Sequence, residues 1–387
     1  VGRIFEEEHK YDSARAKYQR LIARYPSSEA AEEARFRAPW TYYMTGHYAQ
    51  ATRGFAVARA HAKADAAARD MFGYWEARAR EKSGDRAGAR ELFETVAQSI
   101  DSNYYPALAA RRVNAPIPDL PAASAPDPRF DPDVQVQGGG SRFHLERALA
   151  LRALGLRDLE PGELKQLQAD TAQQPALRSF VLAGLQSAGA YHDAIVAASA
   201  MEKRGEVDHA VAERVRYPRA YWELVMANAS RNGLDPYLVV ALMRQESWFN
   251  PQATSSSDAR GLMQLLPVTA VRIARDSGVA VAPVNLYDPT LNVELGTAYL
   301  RKLFAMFNGD EIRAVAAYNG GEHAVQEWSA KFPGDDDELV ENIGYRETRE
   351  YVKRVIGGMR EYRMLYRSAP PASSSAATQS DFTARAD

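Results

Sequence analysis

The first 112 residues carry apolar positions at helical spacing, arranged as a loose repeat. Three stretches share a small alanine followed four residues later by an aromatic side chain, and they begin 37 and 38 positions apart. The stretches are Tyr11–Ala16, Tyr48–Arg53 and Arg86–Glu91, with the pairs Ala14 and Tyr18, Ala51 and Phe55, and Ala89 and Phe93. A helical hairpin that recurs every roughly 34–40 residues is typical of tetratricopeptide-like superhelices. Irregular helical hairpins are the alternative, and both interpretations make this region all-α.

The pattern changes three more times along the chain. Residues 113–140 are rich in proline and contain three consecutive glycines, which predicts a linker or long loop at the end of a first domain, 1–140. Helical spacing returns over a second region, 141–212, and a third region at 213–367 is richer in Leu, Val and Met. The low-complexity tail 368–387 is predicted to be disordered. No run of alternating apolar and polar residues indicates strands, so the predicted fold class is all-α.

Composition and charge exclude several kinds of chemistry. The chain has no cysteine, which rules out disulfides, thiolate nucleophiles and cysteine-type zinc sites. A net charge of −2 argues against a nucleic-acid partner, because such proteins usually present a basic face. The seven histidines lack paired ligand spacing, so we expect neither a metal nor a cofactor.

The ends of the chain carry no membrane or export signal that the sequence makes visible. No apolar run approaches the roughly 20 residues of a transmembrane helix. The helical pattern already covers Val1 to Arg24 without a leading methionine. We therefore interpret the start as processed or truncated.

One glutamate stands out because it lies on the apolar side of a predicted helix. Asp235 followed by proline indicates a helix start, since aspartate caps free amides and proline fits the first turn, and Asn250 followed by proline indicates its end. Between them Glu246 shares a face with Val239 and Met243. A carboxyl group on an apolar face resists ionisation, so its pKa should be raised, as a general acid near neutral pH requires.

Roles other than catalysis remain possible for Glu246 and for other acidic residues of this region. Glu246 could instead form a buried ion pair with Arg244 or Arg260, or be exposed at the helix end. The acidic run at 335–338 is interpreted as a solvated loop.

Four short motifs follow one another and carry a family resemblance. They are Glu246-Ser247, Gly261-Leu262-Met263-Gln264, Ala317-Tyr318-Asn319, and Glu347-Thr348-Arg349 with Tyr351-Val352. In this order they resemble the catalytic domain of the soluble lytic transglycosylases, over roughly residues 215–366. The resemblance implies a goose-type-lysozyme-like, mainly α catalytic domain that cleaves peptidoglycan, preceded by a long helical superhelix.

The resemblance also implies a role for each matching position. Glu246 stands at the single catalytic acid/base, and the implied substrate-binding residues are Ser255, Met263, Gln264, Tyr318, Asn319 and Glu341. The fourth motif, which includes Tyr351, is interpreted as locking the last helices against the core. Asp258 stands where this family usually has glycine, which leaves the shape of the loop after Ser255 open.

In the family that these motifs resemble, catalysis is assisted by the substrate and does not use two carboxylates. Glu246 would protonate the bond between N-acetylmuramic acid (MurNAc) and N-acetylglucosamine (GlcNAc), and the product would be 1,6-anhydro-MurNAc. A hydrolytic muramidase is the rival enzyme, and a helical scaffold with a weak catalytic domain is the rival from another class. The resemblance further implies a periplasmic location and peptidoglycan strands as partner, with a cell-wall synthase or other envelope protein as a candidate partner of the helical domain.

Overall fold

The computed structural model describes residues 1–100, 103–118, 128–278 and 285–366. Within these ranges the chain forms twenty helices, and strand-like pairing is limited to isolated bridges of Arg260 with Thr254 and Leu265. The predicted all-α fold class is therefore confirmed. The same ranges contain no helix that is long and apolar enough to cross a membrane. The predicted disordered tail, 368–387, and part of the proline-rich segment lie outside the described residues.

The N-terminal part consists of stacked helical hairpins. Its helices are α1 Gly2–Glu7, α2 Tyr11–Arg24, α3 Glu29–Met44, α4 Tyr48–His61, α5 Ala66–Ser83, α6 Arg86–Ala97 and α7 Tyr104–Val113. Helices α2, α4 and α6 begin at the first residues of the three repeats, and the alanine and aromatic residue of each repeat are buried where helices cross. The single helix predicted from Val1 to Arg24 is interrupted instead at His9, whose φ of 56° breaks the helical path.

Five shorter helices follow and have their own hydrophobic cluster. They are α8 Gly139–Ala153, α9 Glu160–Gln168, α10 Ala176–Ser187, α11 Tyr191–Lys203 and α12 His209–Arg216. Leu164, Phe180 and Leu185 are fully buried at the centre of this cluster. These helices extend from residue 139 to residue 216, and the helical domain at 141–212 stays a prediction.

The remaining helices surround the predicted catalytic glutamate. They are α13 Trp222–Asn232, α14 Pro236–Ser247, α15 Pro267–Ser277, α16 Pro289–Met306, α17 Glu311–Gly320, α18 Glu322–Lys331, α19 Asp336–Asn342 and α20 Arg346–Tyr366. The long helix α20 packs against α14 and α17, and it also packs against α7 of the N-terminal part. One continuous hydrophobic cluster accordingly includes residues between 36 and 110 together with residues between 220 and 362.

The expectation that the acidic run 335–338 is a solvated loop is wrong. Most of the run belongs to α19, and Asp337 is only 4% exposed. Its carboxylate lies 2.8 Å from Nε of Arg78 and 3.2 Å from the guanidinium of Arg112, and it accepts a 2.5 Å hydrogen bond from the Tyr74 hydroxyl. The guanidinium of Arg78 also lies 3.0 Å from Glu338. We call these five residues the Arg78 cluster, and it joins α5 and α7 to α19.

Candidate active site

Helix α14 presents its last turns to the site and begins as its sequence predicts. The Asp235 side chain accepts the backbone N–H of Tyr237, and proline occupies the first turn. The helix ends at Ser247, before the predicted end at Asn250, because Trp248 and Phe249 adopt left-handed backbone angles with φ of 50° and 64°. This turn directs Phe249 into the core, where it is 1% exposed.

The carboxyl group of Glu246 lies next to two tyrosines of other helices, Tyr351 on α20 and Tyr318 on α17. The Tyr351 hydroxyl donates a 2.6 Å hydrogen bond to its Oε1. Burial raises the pKa of Glu246 to about 8, and although this hydrogen bond opposes the shift, the negative charge of Glu347 adds to it. Burial of the carboxyl group thus shifts the pKa in the direction predicted from the helix face. At neutral pH the carboxyl group is protonated, which is the state that a general acid needs.

Neither arginine that could have neutralised Glu246 does so. The guanidinium of Arg244 donates to the backbone carbonyl of Arg216 at 2.7 Å and lies over the ring of Tyr217. Arg260 forms a 2.8 Å ion pair with Asp258 instead. The structure thus excludes the buried ion pair that the sequence left open.

Tyr351 is the site residue that the sequence interpretation missed. It was expected only to lock α20 against the core, yet its hydroxyl contacts Glu246. Burial and the neighbouring carboxyl group raise the pKa of Tyr351 well above its usual value, so the hydroxyl remains a hydrogen-bond donor. Glu347 and Tyr351 are one helical turn apart, so the spacing of the fourth motif places both on one face of α20. That spacing alone could not show which helix the face meets.

The Gly-Leu-Met-Gln segment is fixed beneath Glu246 by backbone contacts. The hydroxyl of Ser247, next to Glu246, donates to the carbonyl of Leu262 at 2.8 Å. Gly261 has a φ of 76°, and a Cβ at this position would lie 2.1 Å from the carbonyl oxygen of Leu286, so glycine is required there. Met263 is fully buried and packs against Gly296. The structure therefore gives Met263 a packing role, although it was expected to contact substrate.

Gln264 and Tyr318 both bind backbone carbonyls at or near the Gly-Leu-Met-Gln segment. The Gln264 side-chain amide donates to the carbonyls of Ala253 and Gly261, at 3.1 and 2.8 Å, which holds the end of the segment in a left-handed turn with φ of 46°. The Tyr318 hydroxyl donates to the Met263 carbonyl at 2.9 Å. Burial raises the pKa of Tyr318, and so does the charge of nearby Glu246. Tyr318 is thus brought to Glu246, as the resemblance implies.

Asn319 is held beside this group by the last helix. Its Oδ1 accepts a 2.7 Å hydrogen bond from the hydroxyl of Thr348 on α20. Thr348 and Tyr351 therefore link α20 to two of the predicted site positions. The fourth motif braces the site directly and does more than close the fold.

The loop after Ser255 is closed by local hydrogen bonds. The Ser255 hydroxyl accepts the backbone N–H groups of Ser257 and Ala259 at 3.2 and 3.0 Å, and the side chain stays exposed. Asp258 has a φ of 64°, a left-handed angle that glycine adopts freely and that aspartate tolerates better than most residues. Its ion pair with Arg260 fixes the turn.

Glu341 is not brought to the site. It is 2% exposed, its Oε1 accepts a 2.8 Å hydrogen bond from the Tyr105 hydroxyl, and Nζ of Lys353 lies 3.0 Å away. Burial alone would raise the pKa of Glu341, but the charges of Lys353 and Arg37 hold it below its usual value. The side chain is an internal anion that contacts the N-terminal helices, and the structure leaves it no surface for a sugar.

Comparisons with known proteins agree with this geometry. Residues 223–340 match the profile of the family described as the transglycosylase SLT domain, and residues 1–28 match a tetratricopeptide repeat. The chain contains a transglycosylase SLT domain. The tetratricopeptide-like character predicted for the N-terminal helices is confirmed as well.

Two curated relatives of this SLT-domain chain align over different shares of its length. The soluble lytic murein transglycosylase of Escherichia coli K12 is 28% identical over 322 residues, which cover 82% of this chain and 47% of that protein. A putative soluble lytic murein transglycosylase of Haemophilus influenzae is 37% identical over 160 residues, 41% of this chain and 27% of that protein. The chain therefore spans less than half the length of these curated relatives.

Solved structures show the same fold. A lytic transglycosylase Slt from Pseudomonas aeruginosa, crystallised as an inactive mutant, superposes with a TM-score of 0.65 at 23% identity, covering 88% of this chain and 53% of that one. The 70 kDa soluble lytic transglycosylase Slt70 of E. coli gives a TM-score of 0.61 at 22% identity over 92% of this chain and 60% of that one. These superpositions cover about nine tenths of this chain, so the shared fold includes both its N-terminal helices and its SLT domain.

The contact between Tyr351 and Glu246 leads to a prediction about pH dependence. The Tyr351 hydroxyl stabilises the carboxylate, so Tyr351→Phe should raise the pKa of Glu246 above about 8. Carbon NMR of the labelled Glu246 carboxyl group should therefore show a titration midpoint at higher pH in Tyr351→Phe than in the unchanged chain, because the carboxylate loses a donor. A midpoint that stays in place would contradict the role given to this hydrogen bond.

Proposed function

We propose that this chain is a lytic transglycosylase that cleaves the MurNAc-β-1,4-GlcNAc bond of peptidoglycan and forms 1,6-anhydro-MurNAc. The observation that carries the proposal is the placement of the Glu246 carboxyl group at the end of α14, where its Oε1 accepts a 2.6 Å hydrogen bond from the Tyr351 hydroxyl. Burial at this position raises the pKa of Glu246 to about 8, which suits a general acid. The SLT domain and the names of the relatives support the choice of substrate.

Glu246 acts twice in the proposed reaction. Its proton goes first to the oxygen that leaves with GlcNAc as the bond from that oxygen to the MurNAc anomeric carbon breaks. The acetamido oxygen of the same MurNAc bonds to the anomeric carbon and gives an oxazolinium-like state. Glu246, now a carboxylate, takes the proton of the MurNAc 6-hydroxyl, whose oxygen displaces the acetamido oxygen. The acid is regenerated and no water is consumed.

The other site residues support these two proton transfers. The Tyr351 hydroxyl stabilises Glu246 while it is a carboxylate, between the two steps. Tyr318 and Asn319 would orient the acetamido group, and their own positions are fixed by the Met263 carbonyl and the Thr348 hydroxyl. Ser255 and Gln264 would line the groove that binds the glycan strand. Neither a metal nor a cofactor has a part in this scheme.

A hydrolytic outcome is the second candidate, and Glu347 is the observation that favours it. Its charge contributes to the raised pKa of Glu246, so the site holds a second carboxylate, one turn before Tyr351 on α20. A carboxylate at a suitable distance from the acid could activate water, as in ordinary inverting glycosidases. Asp258 and Glu341 are poorer candidates, because Arg260 and Lys353 already engage them.

Product analysis distinguishes the two outcomes. We expect that purified peptidoglycan digested by the full chain in ¹⁸O-labelled water releases muropeptides that end in 1,6-anhydro-MurNAc and carry no label. A hydrolase would give reducing MurNAc with one ¹⁸O atom at the anomeric carbon, which mass spectrometry resolves. Labelled reducing ends as the main product would overturn the transglycosylase assignment, and they would assign Glu347 as the base to test next.

The cellular setting follows from the same proposal. The relatives with similar sequences are named soluble murein transglycosylases, and peptidoglycan strands would be the partner of this chain. We propose a periplasmic location on that basis. A cell-wall synthase or another envelope protein remains the candidate partner of the helical part.

A further inference from the structure

Helix α20 has two faces with different neighbours. One face meets α14, where the Tyr351 hydroxyl contacts Glu246, and the other meets α7 of the N-terminal superhelix. Lys353, Gly357 and Arg360 are spaced four and three residues apart, so they lie along one stripe of the helix. That stripe faces α7 and the segment before it.

Three contacts hold this stripe along about two helical turns. Nζ of Lys353 lies 3.0 Å from the Tyr105 hydroxyl. Gly357 lets α20 approach the residue before α7 so closely that a Cβ at position 357 would lie 3.1 Å from the Cβ of Asn103. The guanidinium of Arg360 donates to the carbonyls that precede α7, Ala97 at 3.2 Å and Ser99 at 2.7 Å. The superhelix thus contacts α20 from the level of Tyr351 to the penultimate turns.

The Tyr105 hydroxyl is the centre of the contact nearest to the site. It donates 2.8 Å to the buried carboxylate of Glu341, and it lies 3.0 Å from the Lys353 ammonium group, which also pairs with Glu341. Tyr105 is 7% exposed and Glu341 is 2% exposed, so the three groups are held with little competition from water. Lys353 is two residues from Tyr351 on the same helix.

We propose that Tyr105 is a positioning residue for Glu246, which acts through Glu341 and Lys353 to fix α20 and thereby the Tyr351 hydroxyl. The superhelix then sets the strength of the proposed acid and does more than surround the catalytic helices. This inference rests on the proposed function for its kinetic consequence. Its structural consequence, a change in the titration of Glu246, does not depend on that function.

The test variant is Tyr105→Phe in the full chain. It removes only the hydroxyl and keeps the ring contacts with Tyr74 and Tyr104, whose centroids lie 5.7 and 4.9 Å away. The matched control is Tyr43→Phe, since Tyr43 is also buried and its hydroxyl donates 2.6 Å to Glu338 on the same helix α19, without contact to Lys353. Both variants lose one hydrogen bond from a tyrosine to a carboxylate. Only the Tyr105 hydroxyl also contacts Lys353 on α20.

Two quantities are measured. The first is the titration of Glu246, which carbon NMR of its labelled carboxyl group reports, and the second is the pH profile of cleavage. In Tyr105→Phe we expect the Glu246 pKa to rise by about half a unit and kcat at neutral pH to fall about three- to tenfold with little change in KM. Tyr43→Phe should leave both unchanged. If Tyr105→Phe does not fold, Gly357→Ala displaces α20 from Asn103 instead and should shift the titration in the same way.

Two results would overturn the inference. The first is an unmoved Glu246 titration in Tyr105→Phe or Gly357→Ala, which would leave Tyr105 with a role in stability alone. The second is an equal shift in Tyr43→Phe, which would trace the effect to general loosening of α19. If the wild-type chain cleaves no peptidoglycan while the titration shifts as expected, the proposed function fails and the positioning role stands.

Discussion

The Glu246→Gln variant should lose at least about 10³-fold of the cleavage rate on peptidoglycan while its melting temperature does not fall. Glutamine has almost the same shape as the protonated glutamic acid present at neutral pH, so it can still accept the Tyr351 hydrogen bond of 2.6 Å. It can neither give a proton to the leaving oxygen nor take one from the 6-hydroxyl. Release of soluble muropeptides, followed by chromatography, measures the loss.

The matched control for this variant is Glu347→Gln. It neutralises the neighbouring carboxylate on α20 and should lower the pKa of Glu246, because that charge contributes to the raised value. Substrate-assisted cleavage should continue within about a few-fold of the wild-type rate. Loss of activity in Glu347→Gln as large as that in Glu246→Gln would contradict a single acid/base and favour the hydrolytic mechanism. Glycan binding should persist in both variants.

The Arg78→Ala variant should destabilise the chain by about 3–5 kcal/mol. Arg78 is 1% exposed, and its removal takes the 2.8 Å ion pair from the buried carboxylate of Asp337. Arg112, the Tyr74 hydroxyl and the backbone N–H of Glu338 remain as its partners. Removing one partner of a buried ion pair lowers the free energy of unfolding by more than the pair itself contributes, because the remaining charge stays desolvated. Denaturant unfolding measures this change in the free energy of unfolding.

An exposed ion pair on the next helix provides the comparison for Arg78→Ala. Arg90 and Glu94 on α6 are both more than half exposed, at 69% and 51%, so Arg90→Ala should change the free energy of unfolding by less than about 1 kcal/mol. A loss in Arg78→Ala no larger than that in Arg90→Ala would mean that the Arg78 cluster does not hold the superhelix to α19.

Local features of this chain could be predicted because they depend on neighbours in sequence. The repeats beginning at Tyr11, Tyr48 and Arg86 predict the starts of three helices, since small and aromatic residues must meet where hairpins cross. The raised pKa of Glu246 follows from its place on an apolar helix face, and the cap at Asp235 follows from its side chain.

Features that join distant segments could not be predicted in this way. The acidic run 335–338 has the composition of a solvated loop, and only the approach of Arg78, more than 250 residues earlier, turns Asp337 into a buried anion. Tyr351 and Glu341 were misjudged for the same reason. Which residues of α20 meet Glu246, and which meet Tyr105, depends on how this helix packs between α14 and α7.

The mechanism depends on the claim that the Glu246 carboxyl group is protonated at neutral pH. Carbon NMR of protein labelled at glutamate carboxyl groups, with Glu246→Gln to assign the signal, follows the ionisation of Glu246 directly as pH rises. We expect its midpoint near 8, which leaves the acid protonated at neutral pH. A midpoint near the ordinary glutamate value of about 4.5 would mean an ionised carboxylate in the resting protein and would contradict Glu246 as the general acid.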